Sequence, residues 1–83
     1  MSDSVEQKVV HLIAEISGFE PEEITRESRF YDDLEIDSIK AIEITVAIEK
    51  TFKISVRDED VPKILTVQDA ITTVEKLLEN TPV

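Results

Sequence analysis

The side chains of this sequence that could do chemistry are hydroxyls, carboxylates, amines and one imidazole, because it contains no cysteine. Without cysteine there can be no disulfide, no thiolate metal site and no thiol of the chain's own for thioester chemistry, so any reactive sulfur must come from a cofactor. Ser38 is the hydroxyl that stands out. A serine at a helix start is ordinarily a cap, but Asp37 just before it can fill that role and suits the positive end of the helix dipole. A nucleophilic Ser38 would also need a base. The only histidine, His11, falls opposite the apolar arc of its helix, on a solvated face, and nothing completes a catalytic set. Paired acids such as Asp32 and Asp33 in an exposed loop are solvated charge. Catalysis by this chain alone is therefore not expected. Asp33, Glu35 and Asp37 alternate as in a calcium loop, yet the sixth position is Ser38 rather than glycine and the twelfth is Ile44 rather than a bidentate glutamate. No metal centre is expected beyond weak, nonspecific cation binding.

The elements that position these groups must come from 83 residues, 41% of them hydrophobic and 34% charged, which is enough for one domain over residues 1–83 and too little for two. Nineteen acidic against nine basic side chains give a formal charge of −10. Such a surface repels nucleic-acid phosphates and anionic lipid headgroups, and it attracts basic protein surfaces. The first residues, MSDSVEQ, lack the basic start and apolar stretch of a secretory signal, and no apolar run approaches the roughly 20 residues that span a bilayer. A cytoplasmic, monomeric protein with neither nucleic-acid nor membrane partners is expected.

One glycine and three prolines are too few for a small β-sandwich, so helices must dominate. Ser4 and Gln7 resemble a capping box, and Val5, Val9, Leu12, Ile13 and Ile16 share one face of a helix running from Val5 to Ser17, stopped by Gly18. Residues 19–37 show no sustained period. They predict a long ordered loop anchored by Ile24, Phe30 and Leu34, in which eight acids face only Arg26 and Arg29. A connection this long usually has a function. The second helix runs from the Asp37 cap to about Phe52. Ile54 and Val56 then alternate with polar residues as a loop tacked onto the core, and a short helix passes through Val61, Pro62 and Ile64, with proline tolerated only in its first turn. Thr66 and Asp69 cap a last helix along Val67, Ala70, Ile71, Val74, Leu77 and Leu78, which frays near Asn80 to Pro82.

The second helix has two apolar faces. Ala41, Ile44, Ile48 and Phe52 form the core face; Ile39, Ile42 and Val46 lie about 160° away, among Glu43, Glu49 and Lys50. Burying those charges unpaired would be expensive, so the second stripe is read as an exposed apolar patch rimmed by acids, which marks a docking surface. Ser38 stands beside it.

The run Phe30 to Ile39, FYDDLEIDSI, resembles the modification-site signature of acyl carrier proteins, in which an aspartate, a serine and a leucine open the second helix after an acidic, leucine-containing loop. PEEIT at 21–25, AIEK before Phe52, the ISVRDED stretch and TVQDAI at 66–71 are similar to what the family has at those places. The resemblance covers nearly the whole chain. It implies an all-α, acyl-carrier-like four-helix bundle of three main helices and one short one. It also implies a 4′-phosphopantetheine arm on Ser38, which supplies the missing thiol for acyl thioesters of fatty-acid, polyketide or related lipid biosynthesis. A separate phosphopantetheinyl transferase would load the arm, with Asp37 orienting the site and able to contact the transferase's metal. Ile39, Ile42, Glu43 and Val46 would be read by basic, partly apolar patches on that transferase and on acyl-processing enzymes. The core face with Ile44 and Ile48 is a candidate lining for a bound acyl chain. An unmodified acidic helical adaptor, or an aminoacyl or peptidyl carrier of the D-alanyl type, is the alternative.

Three departures adjoin the site: Glu35 where the family usually has glycine, Ile39 where it has leucine, and Lys40 where an acid commonly follows. Losing glycine should stiffen or reshape the loop, and Lys40 sets a positive charge among acids. Pro62 also departs, for structural reasons. A specialised carrier is therefore expected, one that a housekeeping transferase loads more slowly than a Glu35→Gly, Lys40→Asp double variant. Equal loading rates, followed by intact mass against time, would remove that expectation.

Overall fold

The computed structural model describes residues 2–80, and the side chains of residues 5–79. Three α-helices, α1 (Ser2–Ser17), α2 (Ser38–Phe52) and α3 (Val67–Asn80), are joined by segments that carry two 3₁₀ turns, Pro21–Glu23 and Val61–Lys63. The arrangement is all-α. α1 begins at Ser2, so Ser4 lies inside the helix rather than at its cap; the Ser4 side chain and the expected fraying at residues 81 and 82 fall outside the described residues.

The apolar stripes meet as their spacing requires. Val9 and Ile13 of α1, Ile44 of α2, and Val67, Ile71 and Val74 of α3 are among the most deeply buried side chains, and α1 packs on both other helices. Gly18 ends α1 with φ +85° while its N–H donates to the Ala14 carbonyl at 2.9 Å, a left-handed stop that costs glycine little. Thr66 and Asp69 cap α3 reciprocally. The Asp69 N–H donates to Thr66 Oγ1 at 3.1 Å, and the Asp69 carboxylate accepts from the Thr66 and Leu65 amides at 3.2 and 3.1 Å.

The long connection is held more firmly than its sequence suggests. Ile24, Phe30 and Leu34 are buried as expected, and so are Ser28 and Ile36. Pro21–Glu23 form a turn inside it that the sequence reading treated as plain loop, because a proline start and a Glu23 carboxylate accepting from the Glu20 amide at 2.9 Å suffice for one turn. An isolated antiparallel bridge joins the connection to the approach to α3: Phe30 N–H donates to the Leu65 carbonyl at 3.0 Å and Val67 N–H to the Ser28 carbonyl at 3.1 Å. Arg26 completes this seam by reaching Gln68 Oε1 at 2.8 Å and the Glu6 carboxylate on α1. Hydrogen bonding from Arg26 holds the Glu6 carboxyl below its usual range, and the same bond pushes the guanidinium up. The contribution of this pair is present above the ordinary carboxylate pKa and fades as pH falls through the lowered value; with both side chains well exposed it is small.

The expected fourth helix is a three-residue 3₁₀ turn. Pro62 sits in the first turn, where its missing N–H breaks no bond, and the element ends because the chain becomes extended at Ile64 (φ −86°, ψ 94°), where Leu65 pairs with Phe30. Ile54 and Val56 are buried without forming a strand, as a loop packed on the core. Glu49, grouped with the exposed patch in the sequence reading, is half-buried instead: its carboxylate accepts from the Val56 amide at 2.7 Å and fastens that loop.

Urea unfolding should separate these contributions. Ile71→Ala is expected to cost about 2–5 kcal/mol through a core cavity. Thr66→Ala should cost about 1 kcal/mol through the lost cap. Equal effects would contradict the assignment of Ile71 to the packed centre.

Candidate functional site

Ser38 is the first residue of α2 and is exposed. Its position follows from the residues just before it. Leu34 and Ile36 are buried, with Ile36 0% exposed, and the Ile36 N–H donates to the Phe30 carbonyl at 2.8 Å, folding the acidic segment back on itself. Asp33 strengthens the turn by accepting from the Arg29 amide at 2.8 Å. Asp37 then takes the extended conformation of an N-cap (φ −83°, ψ −179°), and its Oδ1 accepts from the Lys40 amide at 2.9 Å. The capping role is thus filled by Asp37, as the sequence predicts. The Ser38 hydroxyl is free of the cap and meets the Tyr31 hydroxyl at 3.3 Å.

Glu35 bears the cost of this turn. Its φ is +52°, in the left-handed region that favours glycine, so the loop keeps a glycine-type conformation at that residue rather than abandoning it.

The two-faced reading of α2 holds. Ile44 and Ile48 are buried, with Ala41 and Phe52 packed partly against the core. On the other side Ile39, Ile42 and Val46 are 70%, 56% and 41% exposed, and Glu43 is exposed beside them. Thr45 also turns inward, its hydroxyl donating to the Ala41 carbonyl at 2.9 Å. Lys40 is half-buried.

Two grooves follow α2, the first of them at Ser38. One, of about 200 Å³, includes Ser38 and is walled by Tyr31, Ile42, Pro62 and Leu65; the next, of about 350 Å³, is walled by Ile42, Val46, Val56 and Pro62. Ile44 and Ile48 line neither groove; they are packed into the core, so the space beside Ser38 is made by the outer side of α2 and the Val61–Lys63 turn. The sequence does not mark Tyr31, Val61, Pro62 and Leu65 as site residues. Tyr31 offered one signal, an aromatic set seven residues before Ser38 in an acidic loop; the others meet the site only through tertiary packing. Two larger depressions, about 530 Å³ each, run along α1 beside the exposed His11 and do not include Ser38. Among the described residues no group of three or more acids, histidines or cysteines converges as a metal site. No described helix is long and apolar enough to cross a membrane.

Residues 7–79 match the family model described as "Phosphopantetheine attachment site". The chain belongs to the acyl carrier protein family. It is 42% identical over 74 residues to the meromycolate extension acyl carrier protein of Mycobacterium leprae, covering 89% of this chain and 64% of that one. The protein of the same description from Mycobacterium tuberculosis is 40% identical with the same coverage, so the chain spans just under two thirds of the length of these relatives. An acyl carrier protein of Rickettsia bellii is 42% identical, with 89% of this chain and 86% of that one covered. The solution structure of the apo doublet acyl carrier protein from prodigiosin biosynthesis has the same fold, with a TM-score of 0.78 and 27% identity over 89% of this chain and 36% of that one.

The residues of this carrier suit the prosthetic group. An exposed hydroxyl on the first turn of a fifteen-residue helix offers the ester oxygen, the helix start favours the negative charge of a phosphodiester, and an apolar groove opens beside it. Glu35→Gly should relieve the left-handed strain at the cost of a more flexible unfolded chain, for a gain of up to about 1 kcal/mol, while Glu35→Val should lose more than that. Denaturant midpoints decide. A stabilising valine would show that the turn is unstrained.

Proposed function

We propose that this chain is a carrier that holds acyl intermediates as thioesters on a 4′-phosphopantetheine arm attached to Ser38, and that residues 1–83 act as one carrier domain. The observation that carries the reading is the exposed Ser38 hydroxyl, released from capping by Asp37, at the edge of an uncovered apolar helix face. When bound, the group supplies the thiol that the sequence lacks. Ser38 supplies the oxygen of the phosphodiester. Asp37 fixes the helix start and so the direction of that oxygen, and it lies close enough in sequence to touch a metal held by the loading enzyme.

The partners are a phosphopantetheinyl transferase and acyl-processing enzymes with basic docking patches. Ile39, Ile42 and Val46 would fill apolar pockets on them, and Glu43 would steer encounter by charge. The grooves beside Ser38 would receive the first carbons of a cargo before any chain could reach the packed Ile44 and Ile48. The description of the mycobacterial relatives as meromycolate extension carriers supports a place in lipid chain extension, and the departures at Glu35, Ile39 and Lys40 support a dedicated set of partners. A cytoplasmic monomer fits a protein that must visit several enzymes.

Coexpression with a phosphopantetheinyl transferase should add one phosphopantetheine to the intact mass, and Ser38→Ala should abolish the gain. Ile42→Asp should lower kcat/KM for loading about tenfold, equivalent to about 1.4 kcal/mol, with the unfolding midpoint nearly unchanged. A folded protein whose Ser38 stays bare with competent transferases would sink the reading. An Ile42→Asp variant loaded at the wild-type rate would remove the docking face alone.

A further inference from the structure

Tyr31 is 52% exposed, yet its backbone neighbour is fixed from both sides. Phe30 is buried, its N–H is bonded to the Leu65 carbonyl at 3.0 Å, and its carbonyl accepts from Ile36 at 2.8 Å. The Tyr31 ring stands at the surface with its hydroxyl 3.3 Å from Ser38 Oγ. Tyr31 and Leu65 also wall two separate grooves: the 200 Å³ groove that includes Ser38, and one of about 310 Å³ that includes Arg29 and Asp32. They form the ridge between the two.

We propose that Tyr31 is a positioning residue for the prosthetic arm, its hydroxyl donating to the phosphodiester on Ser38 and its ring directing the arm into the groove beside Pro62 rather than towards Arg29. The inference rests on Ser38 being the attachment point. In the unloaded protein either hydroxyl can be the donor of the Tyr31–Ser38 contact. Once Ser38 Oγ is an ester oxygen it has no proton, so the phenol alone can donate, and an anionic phosphodiester oxygen is the stronger acceptor within its reach. A hydroxyl donor has a further use here, because the added negative charge sits next to Asp37 in a protein whose net charge is already −10. The ridge supplies direction. An arm leaving Ser38 along the groove meets Ile42 and Pro62, and the Tyr31–Leu65 ridge separates it from the groove beside Arg29 and Asp32.

The chain has one tyrosine and no tryptophan, so the ring protons of Tyr31 can be identified without ambiguity in the loaded protein. Wild type, Tyr31→Phe and Tyr31→Ala would be loaded, checked by intact mass, and compared by amide spectra to confirm that each is folded. Two signatures are expected in the wild type: nuclear Overhauser contacts between the Tyr31 ring and the geminal methyl groups of the arm, and a 31P resonance that Tyr31→Phe displaces. Tyr31→Ala should displace that resonance too and shift the arm's contacts from Pro62 towards Arg29. A 31P resonance identical in wild type and Tyr31→Phe, or arm contacts unchanged in Tyr31→Ala, overturns the role given to Tyr31 while leaving a loaded Ser38 intact. An unmodified mass in all three proteins overturns the attachment at Ser38, and this inference with it.

Discussion

The structure turns on the burial of Ile36 two residues before an exposed serine. Leu34 and Ile36 are fixed in the core, while Glu35, left-handed between them, and Asp37 are exposed. Asp37 then binds the Lys40 amide and α2 begins with Ser38 at the surface. The left-handed backbone at Glu35 is what the local turn demands, and the apolar side chains on either side of it hold it there.

The remaining architecture keeps that arrangement from moving. α1 packs against both other helices, and the segment from Arg26 to Phe30 is bonded to the residues leading into α3, so the acidic connection is a seam rather than a free loop. Arg26 joins it to α1 and α3 at once. Such pairing matters in a chain this short, where the core is small and an unfastened connection of this length would cost entropy without adding burial. α2 packs on α1 and α3 through its core face. Its outer face is bounded by the Val61–Lys63 turn, and the grooves lie between them.

Charge and apolar surface divide the labour of recognition that we propose for this carrier. A net charge of −10 acts at a distance and favours basic partners, whereas Ile39, Ile42 and Val46 act only on contact. Lys40, half-buried beside the cap, interrupts the acidic field next to Ser38. That local interruption separates this surface from a uniformly acidic one.

Much of this was legible in the sequence. Helical spacing set α1, α2 and α3 and assigned both faces of α2, because a period of 3.6 residues decides which side chains share a side whatever they pack against. Asp37 before Ser38, and Thr66 before Asp69, fixed two helix starts, since capping depends on residues a turn apart. Other features had no local cause. Ile36 joins the core because other elements pack over it, and Glu49 reaches Val56 and Tyr31 reaches Ser38 across seven-residue turns whose course follows from that packing. The fourth helix shrank to a 3₁₀ turn because pairing between Phe30 and Leu65 drew the chain straight beyond it. Periodicity and caps act over one turn and so can be read along the chain, whereas grooves and cross-chain bonds exist only once the helices have packed.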